Sequence, residues 1–187
     1  MDDNRYDVGM FRGERRADVD RILIRHGRWH VVELELTLEK MKWLWDEMRK
    51  YKSLFSDLTR GSAENFYAVM SMKDSFWLEV LDEAEQTVGL VYWTGLSQII
   101  DCDVHMMFFD RKPSEKLGLC KEIAKWFFVN FPQYNRMTAT LPTTYYATIR
   151  LARKVGFAWE GKKRESQLMN KQKLDEVILG LLASEIL

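Results

Sequence analysis

The sequence predicts an α+β domain in which a central, mixed and mostly antiparallel sheet is flanked by helices. Three observations predict it. Runs rich in β-branched and aromatic residues follow one another over 75–81, 87–94 and 101–110 with only short connections, the pattern of antiparallel neighbours. Apolar residues recur at helical spacing at Cys120, Ile123, Ala124, Phe127, Phe128 and Phe131, and again at Met41, Leu44, Trp45, Met48 and Tyr51. Strands and helices alternate over the last third, which makes the sheet mixed and places helices on its faces.

In chain order, residues 1–27 are polar and rich in arginine and read as an N-terminal arm, with Val19, Ile22, Leu23 and His26 forming an amphipathic turn at its end. Residues 28–187 read as a single domain. Trp29 to Leu36 is the first strand, and Thr37 caps the helix that carries the Met41 stripe. Ser53 to Gly61 breaks the pattern, and Ser62 caps a second helix to about Met70. The hairpin Ser75–Leu81 and Thr87–Thr94 leads to the strand Asp101–Asp110. After the Cys120 helix come a strand over 136–141, a helix from Pro142 that stops at Gly156, and strands over 157–161 and 175–182. The charged stretch 162–171 reads as a connection.

Composition narrows the function classes. Lys plus Arg and Asp plus Glu number 28 each, so the chain has no net charge and lacks the general excess of positive charge that nucleic-acid binding needs. A local cluster at Arg150, Arg153, Lys154, Lys162, Lys163 and Arg164 reads first as a solvated face. Cys102 and Cys120 sit inside apolar patterns, as small buried hydrophobes in a reducing compartment do. The N-terminus lacks the apolar segment of a signal peptide, and no run is long and apolar enough to cross a bilayer, so the expectation is a cytoplasmic protein with no membrane partner. His26, His30 and His105 lack zinc-ligand spacing, and no metal is expected.

The stretch 101–120 carries the chemistry. A strand that ends in a turn with a glycine and a helix start presents unpaired backbone N–H groups and the positive end of a helix dipole to an anion. Here that turn is Glu115-Lys116-Leu117-Gly118-Leu119-Cys120. With Gly118, Gly156-Phe157, Glu160-Gly161 and Arg164 in this order, residues 28–182 resemble the GCN5-related N-acetyltransferases, most nearly the branch that acetylates ribosomal-protein amino termini. The resemblance implies an acetyl-CoA-dependent N-acetyltransferase that moves acetyl from the thioester to a primary amine: a protein N-terminus, a lysine or a small amine. It implies that coenzyme A meets Phe108, Phe109, Glu115 to Cys120, Thr144 and Ala147. Three positions depart from the family pattern: Glu115 where a polar or basic residue is usual, Thr144 in place of an asparagine, and Ala152 where many members have a tyrosine. The alternative is a catalytically inactive module of the same shape that binds or scaffolds. The partners expected are an amine acceptor, protein or peptide included, and either no second subunit or one identical copy.

Asp101, Asp103 and His105 alternate and so share one side of their strand, with Glu79 nearby on the hairpin. Stripping a proton from an amine needs a base, and Asp103 or His105 can serve. Their plainer reading is that of polar residues on a half-solvated face. Backbone N–H groups near Phe108 can polarise a thioester carbonyl. Tyr145 or Tyr146, at the start of the last long helix, can donate a proton to a departing thiolate, and is equally placed to be pocket wall. Gly118 reads as a point of close approach for phosphate or as a simple helix-start glycine.

Overall fold

The computed structural model describes residues 22–51, 62–98, 100–109 and 113–187. The sheet begins ahead of residue 28. Ile22–His26 (β1) pairs antiparallel with Trp29–Glu33 (β2), His26 opposite Trp29. Gly27, with φ +57°, occupies the first position of the two-residue turn, where a left-handed backbone suits a hairpin. The amphipathic turn expected around Ile22 and His26 is therefore a strand. Two-residue pairing across Gly27 outweighs a helical spacing too short to nucleate a helix. The remainder of the expected arm, residues 1–21, lies outside the described residues, as does the break expected over 53–61.

Leu38–Met48 (α1) and Ala63–Met70 (α2) start where their caps predict. Thr37 Oγ1 accepts from the Lys40 N–H at 3.1 Å, and Ser62 Oγ from the Asn65 N–H at 3.2 Å. Phe76–Leu81 (β3), Thr87–Thr94 (β4) and Ile100–Phe108 (β5) form the antiparallel meander. A 3-10 turn, Pro113–Lys116, leads into Leu117–Asn130 (α3). Tyr134–Pro142 (β6) takes in Pro142, which the sequence reading placed at a helix start. The following helix, Tyr146–Val155 (α4), ends as expected on Gly156 at φ +137°. Ala158–Met169 (β7) and Gln172–Leu182 (β8) close the sheet, and Ala183–Ile186 (α5) follows. The stretch 162–171 is thus mostly strand. Asn170 and Lys171 both have positive φ, the signature of a tight hairpin turn, and the charged residues before them are strand positions facing solvent.

The strand order is β1-β2-β3-β4-β5-β6-β8-β7, antiparallel everywhere except between β5 and β6. Each face has its own core. On one, Val91, Trp93, Met137, Leu179 and Leu181 pack with Phe127 and Ile123 of α3 and Val155 of α4. On the other, Trp77 and Leu90 pack with Leu44, Trp45 and Met48 of α1 and Phe66 and Met70 of α2. The side chain of Glu79 is buried on this second face, where it accepts from Lys40 Nζ and Thr87 Oγ1 and ties α1 to the hairpin.

Candidate active site

The one parallel junction is also where the sheet opens. β5 and β6 pair from Ile100–Tyr134 to Asp103–Thr138 and no further. From Val104 and Ala139 onward the two strands diverge, and a cavity of about 1090 Å³ fills the space. Cys120, Ile123, Met137 and Val155 line it from the α3 and α4 side, while Tyr51, Tyr92 and His105 line it from the α1 and α2 side. The cavity therefore passes through the sheet. The Phe109 N–H donates to the Val88 carbonyl at 2.9 Å, toward β4. Alternation along the strand turns the N–H groups of Met106 and Phe108 the other way, into the gap. Gly89 makes room for this edge. A Cβ there would lie 2.6 Å from Phe108 Cδ1 and 2.7 Å from the Met107 carbonyl oxygen.

His105 is held by a column of rings. Trp77, Tyr92 and His105 lie on three consecutive strands in cross-strand register. Trp77 stacks on Tyr92 at 3.8 Å and 11°, and Tyr92 on His105 at 4.4 Å and 12°. His105 Nε2 also lies 3.3 Å from Thr94 Oγ1. Burial lowers the His105 pKa to about 4, so the imidazole is neutral near pH 7 and has a lone pair to accept a proton.

Seven of the site candidates singled out by sequence meet in the cavity wall: His105, Phe108, Cys120, Thr144, Tyr145, Tyr146 and Ala147. Tyr145 is the N-cap residue of α4, and its hydroxyl reaches Met169 Sδ at 3.5 Å. Tyr146, one residue on, is 73% exposed. Cys120 Sγ lies 3.3 Å from Met106 Sδ, and burial pushes its thiol pKa up to about 12, so it is an unreactive wall residue. Ala152, at the position where the family pattern has a tyrosine, is also wall.

The remaining candidates stand elsewhere. Asp103 is exposed and outside the lining; burial first, then the charge of Asp101, raises its pKa against the opposing pull of Lys163. Asp101 is engaged by Thr138 Oγ1 at 3.0 Å and Arg136 Nε at 3.3 Å. Phe109 stacks on Tyr51, with ring centroids 6.3 Å apart, and its carbonyl accepts from the Tyr51 hydroxyl. At the α3 start, Glu115 forms an ion pair with Arg28 at 2.9 Å. Lys116 is fully buried, its Nζ 5.3 Å from the Trp29 ring centroid and 5.0 Å from that of Phe108. Leu117 is half-buried and Leu119 buried, both against the α3-side core. A Cβ at Gly118 would lie 2.3 Å from His26 Nε2. This glycine thus permits the close approach of the β1 imidazole.

Tyr51, Tyr92, Gln167 and Glu176 of the cavity wall were not singled out by sequence as site residues. Tyr92 meets His105 through a register that alternation alone does not set. Gln167 lies in the stretch 162–171 that reads as a charged connection, and Glu176 in the strand read over 175–182, where nothing local marks it as a site residue.

No protein-family model matches the chain, and no curated protein matches it in sequence. Solved structures do match in shape. A variant of the spermidine N-acetyltransferase of Vibrio cholerae aligns over 87% of this chain and 98% of its own, with 12% identity and a TM-score of 0.72. The dodecameric form of spermidine N-acetyltransferase from the same organism aligns over 87% and 98%, with 14% identity and a TM-score of 0.66. A candidate acetyltransferase of Acinetobacter baylyi aligns over 82% and 92%, with 19% identity and a TM-score of 0.66. Strand order, the opening between β5 and β6, and these alignments agree: the chain has the GCN5-related N-acetyltransferase fold.

Proposed function

We propose that the protein is an acetyl-CoA-dependent N-acetyltransferase acting on a small primary amine. The observation that carries this reading is the cavity through the sheet at the β5–β6 opening. It lets a thioester enter from one face and an amine from the other, so that the two meet without either crossing the other's path. The similar structures reported above are largely of enzymes named for spermidine, which supports a small-molecule acceptor and lends nothing to the ribosomal-protein branch.

The residues fit a thioester arm. The wall formed by Cys120, Ile123 and Ala147 is largely apolar, and the Met106 and Phe108 N–H groups offer donors to an extended chain that runs along β5. Coenzyme A would be held there and at the α3 start, and it supplies an activated acetyl group. Phe108 N–H is placed to polarise the thioester carbonyl. Neutral His105 accepts the proton shed by the attacking nitrogen, for which a weak base suffices because that nitrogen turns positive as it forms its bond. Tyr145, the N-cap residue of α4, is the proton donor in this reading, and the low basicity of a thiolate leaving group makes its help modest.

The test is a calorimetric titration with acetyl-CoA, followed by an assay of thiol release with a panel of amines. Binding and amine-dependent release support the reading. Tight binding without release on any amine supports the inactive module, to which Ala152 and the Glu115–Arg28 pair would then belong.

A further inference from the structure

The column Trp77–Tyr92–His105 runs across the sheet toward β6, and its last member stands at the edge of the opening. Tyr92 has a ring on each face. His105 has one face on Tyr92, and the other looks along the row to where β6 has moved away. Thr138 is the last β6 residue paired with β5, opposite Asp103. His105 is thus part of the cavity wall on the side from which the amine enters.

Charge limits what that amine can be. Among the described residues lining the cavity, Glu176 is the one carboxylate, and its Oε2 accepts from Ser166 Oγ at 2.8 Å. Gln167 Oε1, in the same wall, is buried with no hydrogen-bond partner and can take one N–H. A polyamine with several ammonium groups along an aliphatic chain needs several anionic partners when desolvated. Among the described residues this wall offers one carboxylate, one amide oxygen without a partner, tyrosine and threonine hydroxyls, the Arg150 cation, which repels further ammonium groups, and the ring stack that ends at His105.

Building on the acetyltransferase reading, we propose that the acceptor is a monoamine carrying a flat aromatic ring, an arylalkylamine by class, whose ring stacks on the outer face of His105 as the next layer of the column. A fourth ring on a rigid, pre-aligned column costs little ordering, because Trp77 and Tyr92 already fix the imidazole plane.

The experiment has two arms. In the first, proton NMR follows the imidazole of His105, assigned among three histidines with His105→Gln, while 2-phenylethylamine or its saturated analogue 2-cyclohexylethylamine is added to the full chain. The ring current of a stacked phenyl group moves the His105 resonances upfield, and the saturated analogue does not. Equal shifts with both, or none with either, overturn the proposal whether or not the protein turns over acetyl-CoA. In the second arm, the same two amines and spermidine compete as acceptors. The aromatic amine should exceed the saturated one in kcat/KM by about two- to tenfold, the range of a stacked ring pair. Spermidine as the best substrate, or equal rates for the ring pair, would overturn the proposal and leave the acetyltransferase reading standing. Failure to bind acetyl-CoA with the NMR shift intact would do the reverse.

Discussion

His105 is the base in the proposed reaction, and its environment makes two tests. Burial lowers its pKa from 6.5 to about 4. A depressed histidine is destabilising to charge in the fold. The unfolded chain therefore binds more protons between those two values, and stability is full above pH 6.5 and falls as pH drops toward 4. A shift from 6.5 to about 4 corresponds to about 3 kcal/mol. His105→Gln should flatten that part of a urea-midpoint-against-pH curve, and an unchanged slope would mean that the imidazole titrates normally. For the rate, His105→Gln is expected to lose about 10²–10⁴-fold, the usual worth of a general base, with Asp103→Asn near wild type because that carboxyl stands outside the cavity. Tyr145→Phe should cost about tenfold or less. Above pH 6.5 the wild-type rate should rise with deprotonation of the substrate amine alone. A strong loss in Asp103→Asn together with full activity in His105→Gln would transfer the base to Asp103.

At the scale of elements, the start of α3 is packed against β1 through one glycine. Gly118→Ala sets a Cβ into the His26 ring, so the imidazole has to swing away. The expected cost is about 1–3 kcal/mol, typical of overpacking. His26→Ala should relieve most of it, and a double-mutant cycle measured by urea unfolding reads the coupling directly. Additive effects would show that the two do not meet. The same junction shows what a sequence can carry. The glycine, the helix onset and the apolar stripe of α3 were legible because helical spacing and backbone freedom are local properties. His26 as the reason for the glycine was not, since it depends on β1, a strand that five residues and a turn establish only by pairing with β2. The strands β3 and β4 were legible from their runs of β-branched and aromatic residues on either side of a short turn. The length of β7 was hidden because its exposed positions are charged, and charge reads as loop until Asn170 and Lys171 show the turn.

At the scale of the whole molecule, the proposed function rests on a sheet that is antiparallel except at one place. A parallel pair needs a crossover, here α3, and the crossover puts a helix start beside the carboxyl end of β5. Beyond Asp103 and Thr138 the strands part, and the gap connects the two faces. The mixed, mostly antiparallel sheet around this opening was legible in the order of elements. The identity of the rings that guard it was not, because Tyr92 and Trp77 read as ordinary strand aromatics until the register places them in one row with His105. The most direct test of acetyl transfer through this opening is the rate of thiol release from acetyl-CoA by the full chain, measured with and without a primary amine. Release that depends on the amine, saturates in both reactants and yields the N-acetyl product is the predicted result. No binding of acetyl-CoA at millimolar concentration, or release that ignores the amine, would contradict it.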